Sequence, residues 1–156
     1  MNEFEKKLAD FISDNGINAE HLIFETSCHT VEEACASCGA TPEDFVKNVS
    51  VVNKKTGEFM VAIVPGEKKL DWKKLYVLVG SRDLRMATSE EVLEKTGFPA
   101  GGTPSFGYAA RFFIDNGVFE KKLVYSGGGS TFALTRVSTD EILRANQGTK
   151  ADLAKD

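Results

Sequence analysis

Residues 97–107, Gly97-Phe98-Pro99-Ala100-Gly101-Gly102-Thr103-Pro104-Ser105-Phe106-Gly107, hold four glycines and two prolines. That composition excludes an ordinary helix or strand and requires a shaped loop. Glycine permits positive φ and close approach to the backbone, while proline fixes its own φ and restrains the residue before it. The chemistry such a loop offers is donation by backbone N–H groups. The plain alternative is a sharp connection between two elements. A second run, Ser126-Gly127-Gly128-Gly129-Ser130, can form another backbone concavity or a simple hairpin turn.

Cys35 and Cys38 have C-x-x-C spacing, with Cys28, His29 and His21 upstream. A zinc site of this kind needs a second ligand pair after the first, and none follows. Val31, Ala34, Cys35 and Cys38 share one face of a predicted helix, so buried, unreactive cysteines are the favoured reading. No metal is expected, and redox chemistry is the remaining alternative. His29 is a candidate base, but no Ser or Cys stands in an activating motif, and a histidine beside a capping Thr is more often a surface residue. The chain contains no G-x-x-x-x-G-K-[ST], no G-x-G-x-x-G opening a helix and no H-E-x-x-H. Nucleotide hydrolysis and dinucleotide redox chemistry therefore lose support.

Composition narrows the class further. The 156 residues, 42% hydrophobic and 27% charged, suit one globular domain with a sizeable core. No run approaches the roughly 18 to 20 apolar residues of a membrane span. The first residues lack the apolar stretch of a signal peptide, and three cysteines fit a reducing compartment, so a cytoplasmic protein is expected. A net charge of −4 argues against a general nucleic-acid coat and limits any RNA footprint to a local basic patch.

The elements that must position these groups follow from periodicity and caps. Phe4, Leu8, Phe11 and Ile12 predict an amphipathic helix over residues 2–15, stopped at Asn15-Gly16. A short strand is expected over 21–25. Thr30 and Glu33 then open a helix as a capping box, ended by Gly39. Thr41, Pro42 and Asp44 start a short helix leading to Phe45, Val46 and Lys47. Residues 48–53 and 58–64 read as a hairpin of central strands. Asp71 caps a helix carrying Trp72, Leu75 and Leu78 inward, ended by Gly80, and a short strand follows over 84–87. Thr88 and Glu91 form a second capping box, on a helix running into Gly97. Strands are expected near 110–114, 121–125 and 131–136, then a helix capped by Ser138 and Glu141; residues 147–156 are expected to fray. The element order predicts an α+β fold, a mixed, largely antiparallel β-sheet curled into a barrel with surrounding helices, forming one domain over 1–156.

Thr30-Val31-Glu32-Glu33-Ala34, Phe45-Val46-Lys47, Val64-Pro65-Gly66, Leu70-Asp71-Trp72-Lys73-Lys74-Leu75, the loop 97–107 and the turn 125–130 occur in the order and spacing of the YbaK/ProX family. The chain resembles that family over nearly its whole length. The family comprises free-standing aminoacyl-tRNA deacylases and an editing domain inserted in bacterial prolyl-tRNA synthetase. The resemblance implies a trans-editing deacylase that hydrolyses the ester of a small mischarged amino acid, of alanine or cysteine type, on proline tRNA. The competing class is a non-catalytic module that binds aminoacyl-tRNA or a synthetase.

By the same resemblance Lys47 is the functional side chain, and Gly101, Gly102, Thr103 and Pro104 position the ester and terminal ribose. Gly127 and Gly128 lie at the pocket rim, with Ser126 or Ser130 near the ligand. Asn48 follows Lys47 where many cysteine-removing relatives carry Thr, and in this the chain is closer to alanine-removing relatives. No cofactor is implied. The implied partners are the 3′-terminal aminoacyl-adenosine of a tRNA and, as a candidate, prolyl-tRNA synthetase, with no membrane. The lysines at 54, 55, 68, 69, 73 and 74 can attract an RNA backbone, although most such lysines only solubilise a surface.

Overall fold

The computed structural model describes residues 1–156. Its elements run α1 (Glu3–Asp14), β1 (Ala19–Ile23), α2 (Val31–Cys38), a 3₁₀ turn (Pro42–Asp44), β2 (Val46–Asn53), β3 (Phe59–Pro65), α3 (Trp72–Val79) and β4 (Leu84–Met86). They continue with α4 (Ser89–Thr96), β5 (Arg111–Asp115), a second 3₁₀ turn (Asn116–Glu120), β6 (Leu123–Gly127), β7 (Ala133–Ser138), α5 (Thr139–Asn146) and β8 (Thr149–Ala151). Helix starts follow the capping chemistry: Asn2, Thr30, Asp71, Thr88 and Ser138 each accept a backbone N–H from the first turn. At Thr30 the box is half made, because the Glu33 carboxylate takes the Ser27 hydroxyl instead of reaching back.

The strands form two sheets. One has the order β4-β2-β3-β5-β8 and the other β1-β7-β6. Pairing is antiparallel except for β3 with β5 and β5 with β8. Phe59, Val61 and Ile63 of β3 enter a core with Phe112, Ile114, Leu8 and Val137, between the two sheets and α1. Met60, Ala62 and Val64 enter a second core with Leu75 of α3 and Leu153. The period of two, with both faces covered, explains why β3 is an unbroken apolar run.

The expected barrel does not form, since neither sheet closes on itself. Backbone pairing between the two sheets is limited to a parallel bridge between Phe45, just before β2, and Tyr125 of β6. Beyond it the loop 97–107 stands between them: the Asn48 amide of β2 donates to Thr103 O and to Ser126 Oγ of β6. The seam that would complete a barrel is thus filled by the glycine-proline loop.

Two further expectations are corrected. Residues 147–156 do not fray: β8 pairs with β5, Leu153 is fully buried, and Asp115 Oδ1 accepts the N–H groups of Leu153 and Ala154 at 2.8 and 2.9 Å. Lys74 adds bonds to Asp152, Asp156 and Ala154 O. Leu78 is among the exposed apolar side chains of α3, and Leu75 alone on that helix is fully buried.

Candidate functional site

A cleft of about 370 Å³ opens where β2 and β6 separate. Strand alternation sets what β2 contributes. Asn48 lies on the same face as Val46 and Val52 and reaches across to the loop and β6. Lys47, one residue earlier, projects to the other face, and its Nζ donates to Lys68 O at 3.0 Å. Both border the cleft, but from opposite sides of the strand.

The loop is held by backbone packing. Pro99 O accepts Gly102 N–H and the Thr103 hydroxyl, and Gly102 O accepts Gly129 N–H at 2.7 Å. A Cβ on Gly102 would come within 2.7 to 2.8 Å of the Ser130 backbone, and one on Gly127 would overlap the Thr103 carbonyl. Gly101 has φ +85, and a Cβ there would overlap the His29 imidazole. Gly102 and Gly127 allow the loop and the glycine run to pack backbone to backbone, while Gly101 leaves room for the His29 ring. Gly101 and Thr103 line the cleft, and neither backbone N–H donates to a protein acceptor.

The glycine run on the far side is clamped from outside. His21 Nε2 lies 2.7 Å from Gly128 O, Thr135 Oγ1 donates to Gly127 O, and the Ser130 hydroxyl donates to the buried carboxylate of Glu5 at 2.7 Å. Burial alone would raise the Glu5 carboxyl, but the Asn2 N–H and the Ser130 hydroxyl outweigh it and hold it below its ordinary value.

Of the residues singled out by sequence, Lys47, Asn48, Gly101, Thr103, Ser126 and Gly127 line the cleft. Gly102, Pro104, Gly128 and Ser130 stand behind that wall and shape it. Ser126 is therefore the serine beside the cleft, while Ser130 ties β6 and β7 to α1. Sequence reasoning passed over Ser105, which is fully buried and bonds to both Asn48 and Ser126. Its position inside the glycine-proline loop was the available signal.

The opposite wall is apolar, with Ala34, Phe45 and Leu134 beside Cys28. Burial pushes the Cys28 thiol up, which weakens it as a nucleophile. Lys47 and His29 are the basic side chains of the lining, and no Asp or Glu belongs to it. The arrangement suits an electron-rich group: a lysine and residues with unengaged backbone N–H groups share a lining that has an apolar part and no carboxylate. No helix of the chain is long and apolar enough to cross a membrane.

Comparison with known proteins gives a consistent result. The family described as aminoacyl-tRNA editing domain matches residues 25–145. A proline-tRNA ligase of Thermosipho africanus is 30% identical over 129 residues, covering 81% of this chain and 23% of the ligase. One from Maridesulfovibrio salexigens is 37% identical over 115 residues, covering 70% of this chain and 20% of the ligase. The chain thus spans less than a quarter of the length of these synthetases. The uncharacterised Bacillus subtilis protein YwhH is 31% identical over 122 residues, 76% of each chain. A crystal structure provisionally described as a trans-editing enzyme for prolyl-tRNA synthetase superposes with a TM-score of 0.90 at 30% identity, covering 100% of this chain and 99% of that one.

Proposed function

Since the chain belongs to the aminoacyl-tRNA editing domain family, we propose that it is a trans-acting deacylase that hydrolyses a small amino acid, alanine or cysteine, from mischarged proline tRNA in the cytoplasm. The carrying observation is that Gly101 and Thr103 line the cleft with backbone N–H groups that no protein acceptor engages. Water attacks the ester carbonyl carbon, and negative charge develops on the carbonyl oxygen. Two fixed amide donors stabilise that charge, an effect worth about 10²–10³ in rate for a single donor. The bond to the ribose oxygen then breaks, and a proton from the attacking water ends on that oxygen.

Lys47, on the open side of β2, attracts the phosphate of the terminal nucleotide. A terminal-ribose hydroxyl of the substrate helps to orient water, which fits a site without a serine-histidine pair. Asn48 favours alanine over cysteine by the resemblance that its position carries. Prolyl-tRNA synthetase, whose relatives contain a similar domain, is the proposed source of the mischarged substrate.

The test is hydrolysis of alanyl-, cysteinyl- and prolyl-tRNA(Pro) by wild type and by Lys47→Ala. Release of alanine or cysteine by wild type, lost in the variant while proline is spared, supports the proposal. Tight binding of tRNA with no release overturns it in favour of a binding module. One observation favours that second reading: the Lys47 ammonium is engaged by Lys68 O.

A further inference from the structure

The hydrogen bonds among Asn48, Ser105 and Ser126 have only one consistent direction. Thr103 O accepts and cannot donate, so the atom of Asn48 that lies 3.0 Å from it is the amide nitrogen. The other amide atom is then the oxygen, and Ser105 Oγ, 2.8 Å away, must give it its only proton. The 2.6 Å contact between the two serine hydroxyls is therefore made by the Ser126 proton. The second Asn48 N–H closes the circuit onto Ser126 Oγ at 3.3 Å. The ring runs Asn48 to Ser126 to Ser105 and back to Asn48, and every proton in it is used.

Ser126 is 2% exposed and lines the cleft, so what it offers there is a lone pair without a proton. It can accept a hydrogen bond and cannot give one. Nor is it a nucleophile, because the partner of its proton is another hydroxyl and not a base. Thr103 stands beside it, since the same Asn48 amide nitrogen holds Thr103 O and Ser126 Oγ. Gly101 and Thr103, whose N–H groups donate to no protein acceptor, thus line the same cleft as an acceptor-only oxygen.

An α-amino ester presents the complementary pair, a carbonyl oxygen that accepts and, on the adjacent carbon, an amine that donates. We infer that Ser126 Oγ is the subsite for the free α-amino group of the substrate, made acceptor-only by Asn48 and Ser105. No carboxylate lines the cleft, so recognition of the amine falls to a neutral acceptor, and selection is by hydrogen bonding. This inference rests on the deacylase reading. Ser105 is a positioning residue that acts through Ser126, and the ring selects aminoacyl esters over acyl esters without an amine.

The test compares alanyl- and propionyl-tRNA(Pro), which differ by the amine alone, with wild type and Ser126→Ala. Taking the ratio of kcat/KM for the two esters in each enzyme, and then between enzymes, cancels their different intrinsic reactivity. The expected result is a wild-type preference for alanyl ester that falls about 10- to 100-fold in Ser126→Ala, the span for a hydrogen bond to a charged group. An unchanged ratio overturns the inference while leaving the deacylase reading intact. Absence of hydrolysis of any ester by wild type defeats that reading instead. In that event titration with the non-hydrolysable amides 3′-alanylamino- and 3′-propionylamino-adenosine decides the subsite alone: equal affinity in wild type overturns it. Ser105→Ala is the second variant, and a thermal melt of each protein shows that it is folded. With Ser105 gone the Ser126 proton is released, and the preference for the amine drops although Ser126 is present.

Discussion

Gly127 and Thr103 meet backbone to backbone, so closely that a Cβ on Gly127 would overlap the Thr103 carbonyl. The two residues are on different walls of the same cleft, and their contact sets how far β6 stands from the glycine-proline loop. Gly127→Ala must therefore push the loop away from β6. Overpacking of this kind costs about 1–3 kcal/mol. On the proposed deacylase reading, in which Thr103 and Gly101 supply the oxyanion donors and move with the loop, kcat for ester hydrolysis should fall by about 10²-fold, the loss for one displaced donor. Gly57→Ala is the control: it has φ +77 and nothing within 4 Å, in the hairpin between β2 and β3. It should cost about 1 kcal/mol from the left-handed backbone and leave kcat unchanged. Equal loss of activity in both variants would show that Gly127 matters only for stability.

The glycine contact also marks how far the sequence could be read. Capping residues, the β2–β3 hairpin and most strands were visible because they depend on neighbours along the chain. The seam was not. A mixed sheet with helices is compatible with a closed barrel, and whether β2 and β6 pair depends on Asn48 reaching Thr103 and Ser126, 55 and 78 residues away. Lys47 and Asn48 were adjacent in sequence, and only strand alternation separates them onto opposite faces. The polar tail was misread for the same reason, because its anchor is 38 residues upstream at Asp115.

That anchor yields the second prediction. Asp115 is 5% exposed and accepts three backbone N–H groups, from Gly117, Leu153 and Ala154. Asp115→Ala leaves those donors without a partner, and a single unsatisfied donor costs about 1–3 kcal/mol. The loss should concentrate in the tail. Hydrogen exchange at Leu153 and Ala154 is expected to accelerate far more than at Ile63 in β3. Uniform acceleration across the chain would mean that Asp115 supports the whole core and not the tail in particular.

The lysines divide by their partners. Lys74 is engaged by Asp152, Asp156 and Ala154 O, and Lys55 pairs with Asp83, whereas Lys47, Lys68 and Lys73 make no ion pair. If Lys47 meets a phosphate of the tRNA end, Lys47→Ala should flatten the dependence of log Kd on log salt by about 0.7, the single-strand value per contact. Lys68→Ala, next to Lys47, and Lys73→Ala on α3 should flatten it as well. Lys74→Ala should leave the slope unchanged and lower the melting temperature. Salt titrations of tRNA binding to the four variants separate the groups, and a slope change in Lys74→Ala would contradict the division.

Acid should act on the wall formed by β4 and α4. The Arg85 guanidinium meets Glu91 through two bonds of 2.7 and 2.9 Å, and with the Thr88 N–H it brings the Glu91 carboxyl from 4.5 down to about 2. A carboxyl lowered by folding stabilises the folded state above its unfolded value, and that contribution is lost as pH falls toward the folded value. The stabilisation from Glu91 is thus fully present above 4.5 and disappears between there and about 2. Glu91→Gln lacks it at every pH. Melting temperatures of the two proteins should differ at neutral pH and converge through that window. Met86, Ser89 and Val92 of this wall line the cleft, so the loss reaches the site as well as the fold. The pair is exposed and therefore screened, so the same difference should shrink in high salt. A gap between the two melting curves that persists unchanged at low pH would assign the effect of the substitution to packing and not to the charge on Glu91.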